Sequence, residues 1–157
     1  MRFLLPVALL GVVVLAPGRA AAEGLTTDDP TLRPYQERTE SYLKRCRNDL
    51  SHVEKSSCYA DQVAALRIRV NSELKKRMAE AEAEAADGEI GGLTGAERAK
   101  KLKAGLKRTQ SAWDAYVNAD CGFALEEVSM GGGNGGDLEM VTCQIRQFVA
   151  RYNELRR

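Results

Sequence analysis

With 157 residues, 23 Lys plus Arg against 22 Asp plus Glu and a single histidine, the chain lacks the basic surplus that binding nucleic acid through its phosphates requires. Its length gives one domain with a modest core. Four cysteines, none in a Cys-x-x-Cys pair, argue against a zinc site or a thioredoxin-like motif and for two disulfides in an oxidising compartment.

Residues 1–22 read as a secretory signal peptide. Met1-Arg2 gives a positive start, Phe3 to Leu15 is an apolar run, and Ala20-Ala21-Ala22 is a small-residue cleavage site. The run is too short to span a bilayer. No cysteine follows it, so the expected form is periplasmic or secreted and not a lipoprotein. Losing this segment removes Arg2 and Arg19 and no acid, which leaves the exported part near neutral. Residues 23–33 form a polar leader containing Pro30, and 34–157 form the helical domain.

A short helix is expected from Pro34, a residue suited to a first helical turn, to about Arg47, and a turn follows at Asn48-Asp49-Leu50. Ser51-His52-Val53-Glu54 is a capping box. It opens a long helix with an apolar stripe of Tyr59, Val63, Leu66, Val70, Leu74 and Met78, extended by an Ala/Glu run to Ala86. Thr94-Gly95-Ala96-Glu97 is a second capping box. The helix it starts places Leu102, Leu106, Trp113, Val117, Cys121, Ala124 and Val128 on an inner face. A last helix is expected with Asp137 as its N-cap and a stripe of Leu138, Val141, Ile145, Phe148, Tyr152 and Leu155. Nothing alternates with period two over a useful length. The expected fold is all-α: a small disulfide-stapled antiparallel bundle of two long helices with shorter N- and C-terminal helices.

Pairing the long helices about Ile90 sets Glu80, Glu82 and Glu84 opposite Lys101, Lys100 and Arg98. As exposed pairs these are worth about 0–1 kcal/mol each; alternatively, the acidic tip is a docking site for a cationic partner. Cys58 and Cys121 lie about equally far from that tip, so bridges 58–121 and 46–143 are possible. Bridges 46–58 and 121–143 each bracket one turn and close a shorter loop, and are preferred.

Two cysteines around the first turn, Val70-Asn71, Gln110-x-x-Trp113-x-x-Tyr116 followed by Cys121, the glycine loop of residues 131–136, and Cys143 followed by Arg151 and Leu155 together resemble the LprI-type lysozyme-inhibitor domain. The resemblance covers Cys46 to Leu155. It implies disulfide roles for Cys46, Cys58, Cys121 and Cys143, and structural roles for Asn71, Gln110, Trp113, Tyr116, Arg151 and Leu155. The family tends to place Arg and an acid where this chain has Val117-Asn118, and Asp where it has Arg67.

Catalysis has little support in the sequence. His52 stands alone in a first helical turn, Glu126 and Glu127 do not face each other on a helix, and the glycine loop lacks the Lys-Ser/Thr ending of a phosphate loop. Neither enzyme activity nor a metal or cofactor is expected. The resemblance implies a binding protein that inhibits lysozyme or a related envelope hydrolase, with a protein partner, no nucleic acid and no membrane span. Its candidate contact is the loop carrying Ser129, Met130, Gly132, Gly133 and Asn134, where glycines let backbone approach closely. The other reading is a non-inhibitory structural or accessory envelope protein. Near-neutral charge favours it, because lysozymes are usually strongly basic and an acidic inhibitor would associate faster.

Overall fold

The computed structural model describes residues 36–157 except 86, 87 and 134. The signal peptide, the leader and Asn134 lie outside the described residues. Four helices follow one another: α1 (Thr39–Leu43), α2 (His52–Glu84), α3 (Gly95–Met130) and α4 (Gly136–Leu155). Among the described residues the only strand-like pairing is a bridge between Ile90 and Leu93 at the α2–α3 tip. The all-α expectation holds.

Both long helices start where their caps dictate. The Ser51 hydroxyl accepts from the Glu54 amide and the Glu54 carboxylate accepts from the Ser51 amide at 3.0 Å. Thr94 and Glu97 repeat the arrangement for α3. Hydrogen bonds from Ser51 hold the Glu54 carboxyl below its ordinary value, and those from Thr94 do the same for Glu97. The first helix is shorter than expected, because after Leu43 the chain turns to bring Cys46 into its disulfide with Cys58.

The last helix begins earlier than expected. Its N-cap is Gly135 and Asp137 lies inside the first turn, where its charge favours the positive helix end. The reason is close packing against α3. A Cβ on Gly136 would stand 2.8 Å from Leu125 Cδ1 and 2.9 Å from the Leu125 carbonyl oxygen. Gly136→Ala is therefore expected to lower stability by about 1–3 kcal/mol, since backbone must move to admit the methyl. A denaturant midpoint unchanged from wild type would contradict this packing.

α4 is the centre of the bundle. It packs on α2 and on α3 more extensively than those two pack on each other. Val141, Ile145, Phe148, Val149 and Leu155 are buried on it, against Val63, Leu66, Val70 and Leu74 of α2 and Val117 and Cys121 of α3. At about 1.5 Å per residue, twenty-residue α4 is far shorter than α2 and α3, with 33 and 36 residues. The far part of the α2–α3 hairpin therefore lacks a third helix, and Leu102, expected inside, is exposed. Trp113, read as inner, is half-buried, with its ring edge-on to Phe148 at 5.0 Å between centroids. The tip turn is centred on Gly91 and Gly92 rather than Ile90. Glu82 accordingly pairs with Lys103 at 3.1 Å, not with Lys100, and Glu80 pairs along its own helix with Arg77 and Lys76.

The chain before α1 is clamped onto α4. Asn153 Oδ1 accepts from the Glu37 amide at 2.9 Å, and Asn153 Nδ2 donates to the Glu37 carbonyl at 2.8 Å. The Glu37 carboxylate pairs with Arg69 at 2.6 Å, and Arg69 also donates to the Tyr42 hydroxyl and lies 4.3 Å over the Tyr152 ring. The hydrogen bond from Arg69 holds the Glu37 carboxyl below its ordinary value of 4.5. A depressed folded value means that this stabilisation is complete above pH 4.5 and is lost as pH falls through the folded value. The melting-temperature gap between wild type and Glu37→Gln should thus be constant above that pH and close in stronger acid. A gap that widens on acidification would reverse the assignment.

Candidate partner-binding end and polar groove

Both disulfides lie at the end of the bundle opposite the tip. Cys46 is linked to Cys58, tying the turn after α1 to α2, and Cys121 to Cys143, tying α3 to α4. Asp120 borders the second bridge and accepts from Gln147 at 3.0 Å. Its neighbouring sulfurs are joined to each other, so they offer no thiolate for a metal.

The glycine loop between α3 and α4 is a compact helix cap. The Gly132 amide donates to the Ser129 carbonyl and the Gly133 amide to the Val128 carbonyl, both at 3.1 Å. With Gly132 at φ +74 this is a Schellman ending, which uses the amides that would otherwise meet a partner. The Ser129 hydroxyl donates to the Leu125 carbonyl at 2.8 Å. Of the described loop residues, Met130 is the large group that projects, at 76% exposure. His52 is exposed, with its ring against Gly135, and beside it Val53 and Leu138 line a groove of about 280 Å³.

Met130 continues a line of exposed apolar residues on α3. Tyr116, Phe123 and Met130 are 54%, 58% and 76% exposed and recur every seven residues, which puts them on one helix face. Tyr116, given a structural role by the resemblance, is thus a surface residue. Along this part of the chain the charge has one sign. Between Arg108 and Arg146 the sequence holds Asp114, Asp120, Glu126, Glu127, Asp137 and Glu139 and no basic residue. From Arg98 to Arg108 it holds six basic residues and no acid. Near-neutral net charge therefore conceals a helix that is basic in its first third and acidic beyond.

The other motif residues gather at mid-bundle. Arg151 is buried, donating from Nε to Gln110 Oε1 at 3.1 Å and from Nη1 to Glu154 at 2.7 Å, with its guanidinium 5.8 Å from the Trp113 ring centroid. Gln110, also buried, donates from Nε2 to Asp114 at 3.2 Å. Asn71 is exposed across from Gln110, and a groove of about 370 Å³ lies between them over Phe148. Arg67, Val117 and Asn118 line the same groove. Leu155 is buried at the end of α4, and its carbonyl accepts from Arg77.

The exposed apolar and acidic residues of α3 thus lie toward the stapled end of a small all-α scaffold. The chain belongs to the family described as "Lysozyme inhibitor LprI", which it matches over residues 46–155. No curated protein and no solved structure matches it. The family is one of inhibitors, its partner is a protein such as lysozyme, and its disulfides fit an extracellular or periplasmic setting. Among the described residues no helix is long and apolar enough to cross a membrane.

Proposed function

We propose that this chain is an exported, non-catalytic protein that binds and inhibits lysozyme or a related envelope hydrolase, with residues 1–22 as its signal peptide and 34–157 as the inhibitory domain. Family membership carries the reading. The contact surface we assign is the acidic end of α3 with the loop that follows it. Phe123 and Met130 supply apolar anchors, and Glu126, Glu127, Asp137 and Glu139 around them attract a basic enzyme. This surface differs from the first expectation for the loop, in which backbone approach dominated. With the Gly131, Gly132 and Gly133 amides spent on capping α3, recognition falls to Met130 and its acidic neighbours.

The test compares cell-wall hydrolysis by lysozyme in the presence of three proteins. Phe123→Ser combined with Met130→Ser should weaken inhibition at least about tenfold, as expected for losing central apolar anchors. Both side chains are exposed, so stability should hardly change. Glu80, Glu82 and Glu84 changed together to Gln at the tip should inhibit like wild type. If the tip variant loses inhibition and the α3 variant keeps it, the contact surface is assigned to the wrong end.

A further inference from the structure

The mid-bundle groove is built in a way that neither the fold nor the inhibitory contact needs. Its α2 wall presents Arg67 and Asn71, one helical turn apart, and its α3 wall presents Gln110, Asp114 and Asn118 at the same spacing. Val117 and Phe148 line it between these walls. Its volume of about 370 Å³ lies within the range of small-ligand sites, roughly 300–1,000 Å³. Gln110 is fixed, because its oxygen accepts from buried Arg151 and its nitrogen donates to Asp114. The Arg67 guanidinium is held 5.4 Å over the Phe148 ring. Among the described residues the side chains of Arg67, Asn71 and Asn118 have no hydrogen-bond or ion-pair partner.

These groups specify a ligand. Arg67 calls for a carboxylate, with which a guanidinium forms paired charge-assisted hydrogen bonds. Asp114 accepts from hydroxyl or amide N–H groups and opposes a phosphate dianion. Asn71 and Asn118 each offer both a donor and an acceptor, which matches an amide and ring hydroxyls. We propose that this groove binds a sugar that carries both an acetamido group and a carboxylate, with Arg67 on the carboxylate and Asp114 and the two asparagines on the amide and hydroxyls. The site lies on the middle of the bundle, and its occupancy is independent of whether the acidic end binds an enzyme.

Trp113, the only tryptophan of the chain, packs edge-on against Phe148 and reports on the groove through its emission. Titration of the oxidised protein with N-acetylmuramic acid should give a saturable change with a Kd of about 0.1–1 mM, and should shift the side-chain amide resonances of Asn71 and Asn118. N-acetylglucosamine, which has no carboxylate, should bind about tenfold more weakly. Arg67→Ala should erase that difference and Asn118→Ala should weaken both sugars about fivefold, while Lys44→Ala, at the end of α1 and outside the groove lining, should change neither. Both groove residues are exposed, and unchanged melting temperatures will show that the variants remain folded. The proposal is overturned if neither emission nor amide resonances respond to N-acetylmuramic acid up to about 20 mM, or if Arg67→Ala retains the preference for the acidic sugar.

Discussion

Arg151→Ala is expected to lower stability by about 3 kcal/mol. Arg151 is 4% exposed, and its partner Gln110 is 7% exposed. Truncation leaves the Gln110 oxygen without its donor in a site that water reaches poorly, and an unsatisfied buried acceptor costs about 1–3 kcal/mol. It also removes the guanidinium beside Trp113 and the stem that packs against α3. Arg151→Lys keeps the charge but not the planar fork, which here divides its donors between Gln110 and Glu154. It should fall between alanine and wild type. Urea denaturation measures the effect as a lowered midpoint at constant slope. A loss below about 1 kcal/mol for alanine would mean that the Gln110–Arg151 pair contributes little to the bundle.

Breaking the Cys121–Cys143 bridge by Cys121→Ala with Cys143→Ala is expected to cost a similar amount. The bridge closes a separation of 22 residues that includes the whole glycine loop. Loop-closure entropy puts the effect at about 3 kcal/mol, on a model that ascribes it to the unfolded chain. Cys121 is fully buried and Cys143 nearly so, and two alanines also leave a small void between α3 and α4. Amide exchange should rise most at the end of α3 and the start of α4, because the staple holds that connection together. Equal protection in the variant and wild type would show that the Gly136–Leu125 contact alone fixes the turn.

The helices were legible in the sequence because their signals are local. Ser51 and Glu54, and Thr94 and Glu97, carry their capping geometry within four residues, and the stripe from Val63 to Leu74 marks a buried face wherever its partner lies. Other features depend on what stands opposite. Leu102 satisfies the pattern of an inner residue, but α4 ends before reaching it. Gln110 and Arg151 break the apolar pattern, and their burial follows only from bringing α3 and α4 together so that each satisfies the other. Asp137 is a good cap residue in isolation, but the close approach of Gly136 to Leu125 places the N-cap two residues earlier, at Gly135. The candidate loop was visible as glycines. Its use of its own amides in a Schellman ending and the run of apolar side chains leading to Met130 needed the helix to be in place. The groove between Asn71 and Gln110 joins residues 39 positions apart, beyond the reach of any local pattern.

The central claim is inhibition, and the most direct measurement is lysozyme turnover of cell walls with increasing amounts of the oxidised wild-type protein at low and at physiological salt. The acidic end of α3 predicts inhibition at micromolar concentration or below. It also predicts faster association at low ionic strength, because exposed charges are screened beyond about 8–10 Å near physiological salt. Undiminished turnover at about ten micromolar protein under both conditions would contradict the claim and leave the chain as a non-inhibitory accessory protein of the envelope.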